Sequence, residues 1–162
     1  MEGARPATSA DLAAIEAVAQ RVRHDLDGGR GADLFFAREA GPWPARDRWC
    51  DRLEADDGVV LVGTYSGAIL GYAVAVVEPL LDGRLLGVIE DLAVDPEARG
   101  VGIGEAMMDG LLVELRRLGC IGVDARALPG DRQTKNFFES FGLKARLLTV
   151  HRALIDDEPG DG

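Results

Sequence analysis

Apolar positions in the first part of the chain recur at steps of three and four. Leu12, Ile15, Val18, Val22 and Leu26 fall on one face of a helix. Thr8, three residues before Asp11, resembles a capping box with Asp in the usual Glu place, and Gly28-Gly29 ends the helix. Residues 4–8 ahead of it fit a short first strand. Residues 32–56 keep a helical pattern, but Gly41-Pro42-Trp43-Pro44 has no place inside a helix and interrupts it. Phe35, Phe36 and Trp43 gather near that break, as core or as the lip of an acceptor pocket.

The pattern then changes. Val59–Tyr65 and Ala68–Val77 are joined by Ser66-Gly67, the signature of a hairpin, and the second run is almost wholly apolar, as in a strand covered on both faces. Asp82-Gly83 turns the chain into a further strand, Leu85–Val94. Met108, Leu111, Leu112, Leu115 and Leu118 have helical spacing, so a long amphipathic helix begins among Gly100, Gly102 and Gly104 and stops at Gly119. Residues 120–127 predict a strand, 131–141 a helix and 143–154 a final strand. The order β-α-α-β-β-β-α-β-α-β predicts an α/β fold with one mixed sheet and helices on both faces. A single domain over 1–155 is expected, with 156–162 an acidic, disordered tail.

The 162 residues, 47% of them apolar, suffice for one core that buries roughly 70% of the unfolded surface. No apolar run approaches the ~18 residues of a membrane span, and the first residues show no secretory pattern. A cytoplasmic protein with no membrane partner is the expectation. The net charge of −10 argues against nucleic acid, whose phosphates need clustered Lys and Arg. It suits solubility, and equally a cationic acceptor drawn in by the field. Cys50, Cys120, His24 and His151 are isolated, which predicts no metal site.

The chemistry concentrates at Arg99-Gly100-Val101-Gly102-Ile103-Gly104, between a strand and a helix. A helix start offers unpaired backbone N–H groups and the positive end of the dipole, which together attract an anion. Glycines let a diphosphate approach the backbone, and Arg99 adds a charge. The dinucleotide fingerprint G-x-G-x-x-G fails, because Glu105 or Met107 stands where the third Gly is needed. A P-loop fails for want of Gly-Lys-Ser/Thr. What remains is R-x-x-G-x-G on Arg99, Gly102 and Gly104.

In context, residues 88–104, from Val88-Ile89-Glu90-Asp91-Leu92 to Gly104, resemble motif A of the GNAT superfamily of acyl-CoA-dependent N-acetyltransferases. Asn136-Phe137-Phe138-Glu139-Ser140-Phe141-Gly142-Leu143 resembles that family's motif B, and the order of elements matches over nearly the whole chain. The resemblance implies a GNAT-like, mostly antiparallel sheet and acetyl-CoA as acyl donor. The pantetheine arm would lie along Leu92, Ala93 and Val94, with the strands at 85–94 and 120–127 splayed to admit the thioester. The diphosphate would rest on the N–H groups of Val101, Gly102, Ile103 and Gly104, flanked by Gly100 and Glu105, with Asn136 and Phe138 near the cofactor. The acceptor would be an amine of a small molecule or a protein, and a homodimer would not be unusual for the family.

Acetyl transfer needs a base for the amine and an N–H for the thioester oxygen, here one near Val94. Glu90 and Asp91 are the only carboxylates in the pocket strand. Plain alternation sends them to opposite faces unless a bulge intervenes. Polyamine acetyltransferases carry a similar Ile/Leu-Glu-Asp stretch in which the Glu acts on the amine, which places Glu90 ahead of Asp91. Many relatives have Tyr where this chain has Phe138, and Phe has no proton to give the departing sulfur. Water, the acceptor, Tyr72 or His151 would then supply it. The other reading is a non-catalytic acyl-CoA-binding module.

Overall fold

Ser66 and Gly67 both adopt positive φ (48° and 85°), the mirror-image turn that matches strand twist, and they tie the hairpin at the centre of the fold. The computed structural model describes residues 1–128 and 131–155. Five strands follow the order β1 (Glu2–Pro6), β2 (Gly58–Tyr65), β3 (Ala68–Pro79), β4 (Leu85–Val94) and β5 (Cys120–Asp124) across one sheet. Neighbours are antiparallel except β4 and β5, which run parallel. The helices are α1 (Leu12–Leu26), the short α2 (Ala32–Leu34) continued by a π-turn over Phe35–Glu39, α3 (Arg46–Glu54), α4 (Ile103–Arg117) and α5 (Arg132–Ser140).

The sheet divides the apolar residues into two cores. On one face, Ile103, Met107, Met108, Leu111 and Leu115 of α4 pack with Phe138 of α5 against Leu61, Ala73, Ala75 and Ile89. On the other, Leu12, Ile15, Val18 and Ala19 of α1 and Trp49 of α3 cover Val60, Val62, Tyr72, Val74 and Ala93. The apolar stripes of α1 and α4 are those the spacing predicts, and β3 is covered on both faces as its composition requires. At the entry to α1, the Thr8 N–H donates to Asp11 at 2.8 Å, and Arg5 grips the same carboxylate with two nitrogens at 2.8 and 2.9 Å. That pairing holds the Asp11 carboxyl down at about 2.

One expected element is absent. Residues 143–154 form no strand, and the short α2 adds a helix ahead of α3, so the observed order is β-α-α-α-β-β-β-α-β-α. The pattern there has strand character, but a strand exists only where an edge receives its backbone, and among the described residues no strand pairs with this stretch. β5 likewise ends at Asp124 and not at 127, and the first strand lies at Glu2–Pro6. The acidic stretch 156–162 lies outside the described residues.

Candidate active site

The third and fourth strands lose register at one point. Val74 faces Asp91 and Ala75 faces Ile89, so Glu90 is the extra residue of a β-bulge. Its consequence is chemical. The bulge resets the alternation, and Glu90 and Asp91 turn to the same side of the sheet, toward α3. Arg48 reaches both, with Nη2 3.0 Å from Asp91 and Nη1 3.7 Å from Glu90. Arg52, one turn later on α3, donates its Nε to Glu90 at 2.7 Å. The Trp49 indole N–H donates to Asp91 at 3.1 Å, and the Trp49 ring meets Tyr72 edge-on with centroids 5.3 Å apart. Burial raises the Asp91 carboxyl above the ordinary carboxylate range against the opposing pull of Arg48. Burial, with the nearby Asp91 charge, also raises the Tyr72 phenol.

The Arg48 guanidinium is not fully satisfied. Its Nε and Nη1 are buried and donate no hydrogen bond. A buried donor without an acceptor is costly, so this one stands out. The backbone at Gly41 passes over it, with Arg48 Nε 3.7 Å from where a Cβ on Gly41 would project. Gly41, the first residue of the Gly-Pro-Trp-Pro break, therefore lies against the charged cluster. The Trp43 ring faces outward and packs on the Arg23 guanidinium, as Phe36 does.

The other half of the site is the gap between β4 and β5. Their pairing runs from Leu85/Cys120 to Val88/Asp124 and no further. From Ile89 to Val94 the edge of β4 that faces β5 has no strand against it among the described residues. The gap narrows to a cleft of about 50 Å³ bordered by Ile89, Glu90, Leu92, Thr134 and Phe138, with Phe35, Glu39, Ala125 and Arg126 at its rim. Arg126 donates to the Glu39 carbonyl oxygen at 3.2 Å, joining the two sides of the rim. Leu92 and Val94 point toward the α4 core and Ala93 toward the α1 core.

After β4 the chain turns through a short 3-10 segment, Pro96–Ala98, capped by the buried Asp95. Gly100 and Gly102 then take φ of 83° and 89°, a conformation open to glycine, and α4 starts at Ile103 with no side chain capping it. Gly100, Val101 and Glu105 are exposed, while Ile103 and Gly104 are buried. A Cβ on Gly104 would stand 3.3 Å from the Phe137 ring, so the loop and α5 touch there. Arg99 is exposed and bonded to Asp25 at 3.0 Å. Asn136 is exposed on α5, and Phe138 is buried at the cleft. Tyr72 does not line the cleft, and His151 is on the exposed C-terminal stretch.

Sequence matching adds the lineage. The family model described as "Acetyltransferase (GNAT) family" covers residues 30–143, more than two thirds of the chain. The chain belongs to the GNAT acetyltransferase family. This GNAT chain is 35% identical over 82 residues to a glucosamine 6-phosphate N-acetyltransferase of Trypanosoma brucei brucei, covering 49% of this chain and 54% of that protein. It is 31% identical over 119 residues to serotonin N-acetyltransferase 2, chloroplastic, of Oryza sativa subsp. japonica, covering 74% and 58% respectively. It thus spans little more than half the length of these curated relatives. Among solved structures, the BH1408 protein of Bacillus halodurans, crystallised as a tetramutant, superimposes with a TM-score of 0.78 at 25% identity, over 93% of this chain and 99% of that one.

Arg48, Arg52 and Trp49 escape the sequence reading, although they are the direct partners of Glu90 and Asp91. The spacing of the two arginines on one helix is visible, but nothing in it says which strand they face. Thr134 and Arg126 also go unremarked, because a lone Thr or Arg carries no pattern.

Proposed function

We propose that this chain is an N-acetyltransferase that uses acetyl-CoA and delivers the acetyl group to a small amine in the β4–β5 cleft. The observation that carries the reading is the bulge at Glu90. It directs two carboxylates to one side of the strand whose free edge leads to an uncapped, glycine-led helix start. The residues present fit the donor. The unpaired edge of Leu92, Ala93 and Val94 suits an extended amide arm, and the N–H groups from Val101 to Gly104, with Gly100, Glu105 and Arg99 beside them, suit a diphosphate. Asn136 and Phe138 border its path. The donor supplies an activated acetyl thioester.

Glu90 lines the cleft and Asp91 lies deeper, under Trp49, so Glu90 is the group positioned to take the amine's proton. Arg52 fixes the orientation of the Glu90 carboxylate, and a backbone N–H at Val94 stabilises charge on the carbonyl oxygen. Phe138 excludes water but gives no proton, and a thiolate with an ordinary pKa near ~8.5 tolerates departure without one. The orphan donors of Arg48 favour an acceptor that carries an oxygen-rich or anionic group as well as its amine, as glucosamine 6-phosphate does for the trypanosomal relative.

Phe138 is also the observation that favours a second reading, a module that binds acyl-CoA without turning it over. Thiol release from acetyl-CoA in the presence of pooled amino sugars, sugar-phosphate amines, arylalkylamines, polyamines and peptides separates the two. Release that depends on one amine class and falls about a hundredfold or more in Glu90→Gln supports the enzyme. Tight CoA binding with no amine-dependent release supports the module.

A further inference from the structure

Across the Phe35–Phe36 pair from the cleft lies a second, larger groove that no step of the proposed reaction uses. Its volume is about 570 Å³, within the roughly 300–1,000 Å³ of small-molecule sites, and it shares no lining residue with the cleft. Phe35 borders the cleft and Phe36 the groove, with ring centroids 5.6 Å apart. One wall of the groove is α1. Gln20, Arg23, His24 and Asp27 stand there at steps of three and four, which puts them on one face at the end of that helix. Asp33 and Trp43 border it as well.

Arg23 gives the groove its chemistry. Its guanidinium carbon lies 4.2 Å from the Phe36 ring centroid and 4.9 Å from that of Trp43. Two rings hold a side chain that would otherwise sample many rotamers, so it has little freedom left to lose when a ligand arrives. Ring faces do not satisfy N–H donors as oxygens do, and among the described residues this guanidinium makes no hydrogen bond or ion pair. A planar fork held in this way suits a carboxylate, which it can grip with two parallel bonds. Gln20 and His24 bring further polar groups to the same wall.

The opposite charge is present too. Asp27 and Asp33 are exposed in the groove, and among the described residues neither bonds Arg23. Asp27 ends α1, where the negative end of the helix dipole adds to its charge. Two carboxylates oppose a phosphate or a polyanion, and Arg23 opposes a bare cation, so the groove complements a ligand that carries both signs. We propose that it is a binding site for a free α-amino acid, with the ligand carboxylate on Arg23 and its ammonium beside Asp27 and Asp33. Trp43 is 40% exposed, which leaves ring surface for an apolar side chain of that ligand.

The test is a titration of the isotope-labelled full chain, without CoA, with L-phenylalanine and separately with L-leucine. At least one should give saturable shifts at the Gly28 and Gly29 amides and the Trp43 indole N–H, with a millimolar or lower dissociation constant. The amide of the binding amino acid lacks the carboxylate and its N-acetyl derivative lacks the ammonium, so each should bind about tenfold more weakly or worse to the unaltered protein. Arg23→Met keeps an apolar stem on the rings and should cost a similar factor, and Arg23→Lys, a charge without a fork, should not restore the affinity. No saturable shift with either amino acid up to about 50 mM overturns the proposal. Equal affinity of the two blocked forms overturns it by reducing the groove to an apolar surface, and so does undiminished affinity in a folded Arg23→Met chain. Shifts confined to Glu90, Thr134 and Phe138 would put the amino acid in the cleft as an acceptor and remove the second site.

Discussion

Single side chains decide the chemistry here, and Glu90 is the first of them. A bulge residue has no cross-strand partner, so its side chain is free of the alternation that governs its neighbours. Glu90→Gln keeps the shape and removes the proton acceptor, so kcat should fall about 10²-fold or more while CoA affinity measured by calorimetry stays within a factor of two. An equal loss of CoA binding would refute the base role. Arg48 answers to a different rule. Arg48→Met leaves Asp91 buried beside an empty place where a cation stood, and breaking a buried pair costs about 3–5 kcal/mol in other proteins. Because the cluster here is about a fifth exposed, a loss near 2 kcal/mol in urea unfolding is expected. Asp11 gives the pH dependence. Its carboxyl is held at about 2 by Arg5, below the ordinary value near ~3.9, so its contribution is fully present above that value. That contribution should fade as the pH drops from about 4 toward 2, and Asp11→Asn should flatten this part of the stability profile. An unchanged slope would show that Arg5 contributes nothing.

Elements meet where glycine allows it. α4 lies on β2 and β3 so closely that a Cβ on Gly63 would come within 2.4 Å of Ile103 Cγ2 and 2.9 Å of Met107 Sδ. Gly63→Ala should therefore destabilise the fold by about 1–3 kcal/mol through overpacking. It should also weaken CoA binding, because the displaced residue, Ile103, opens the helix whose first amides are proposed to hold the diphosphate. A stable Gly63→Ala protein with normal CoA affinity would show that α4 adjusts without moving its first turn. At the same scale, the parting of β4 from β5 after Val88 and Asp124 is what turns a sheet into a cleft. Parallel strands that stop pairing leave free N–H and C=O groups on their facing edges, and a ligand with amides is the natural substitute.

The whole molecule is a sheet wedged between two apolar cores, with the proposed donor groove crossing from one helix layer to the other. A ligand that bridges those layers binds the folded state alone. CoA at a hundred times its dissociation constant should raise the unfolding free energy by about 2.7 kcal/mol, seen as a concentration-dependent rise in the melting temperature. No rise would remove the basis for the proposed activity.

Much of this was legible in the residues. The stripe of α1, the hairpin at Ser66-Gly67, the twice-covered β3 and the glycine-led start of α4 follow from periodicity and backbone freedom, which are local properties. The lineage was legible too, because its motifs are contiguous. Which way Glu90 and Asp91 face was not, because a bulge is a mismatch between two strands and belongs to neither sequence. Their partners on α3 were not legible for the same reason, as the contacts arise only when a helix 38 or more residues earlier is laid across β4. The last strand was misjudged by the same logic. Leu143–Leu154 has the composition of a strand, but pairing is a property of two edges, and among the described residues no strand edge receives this one.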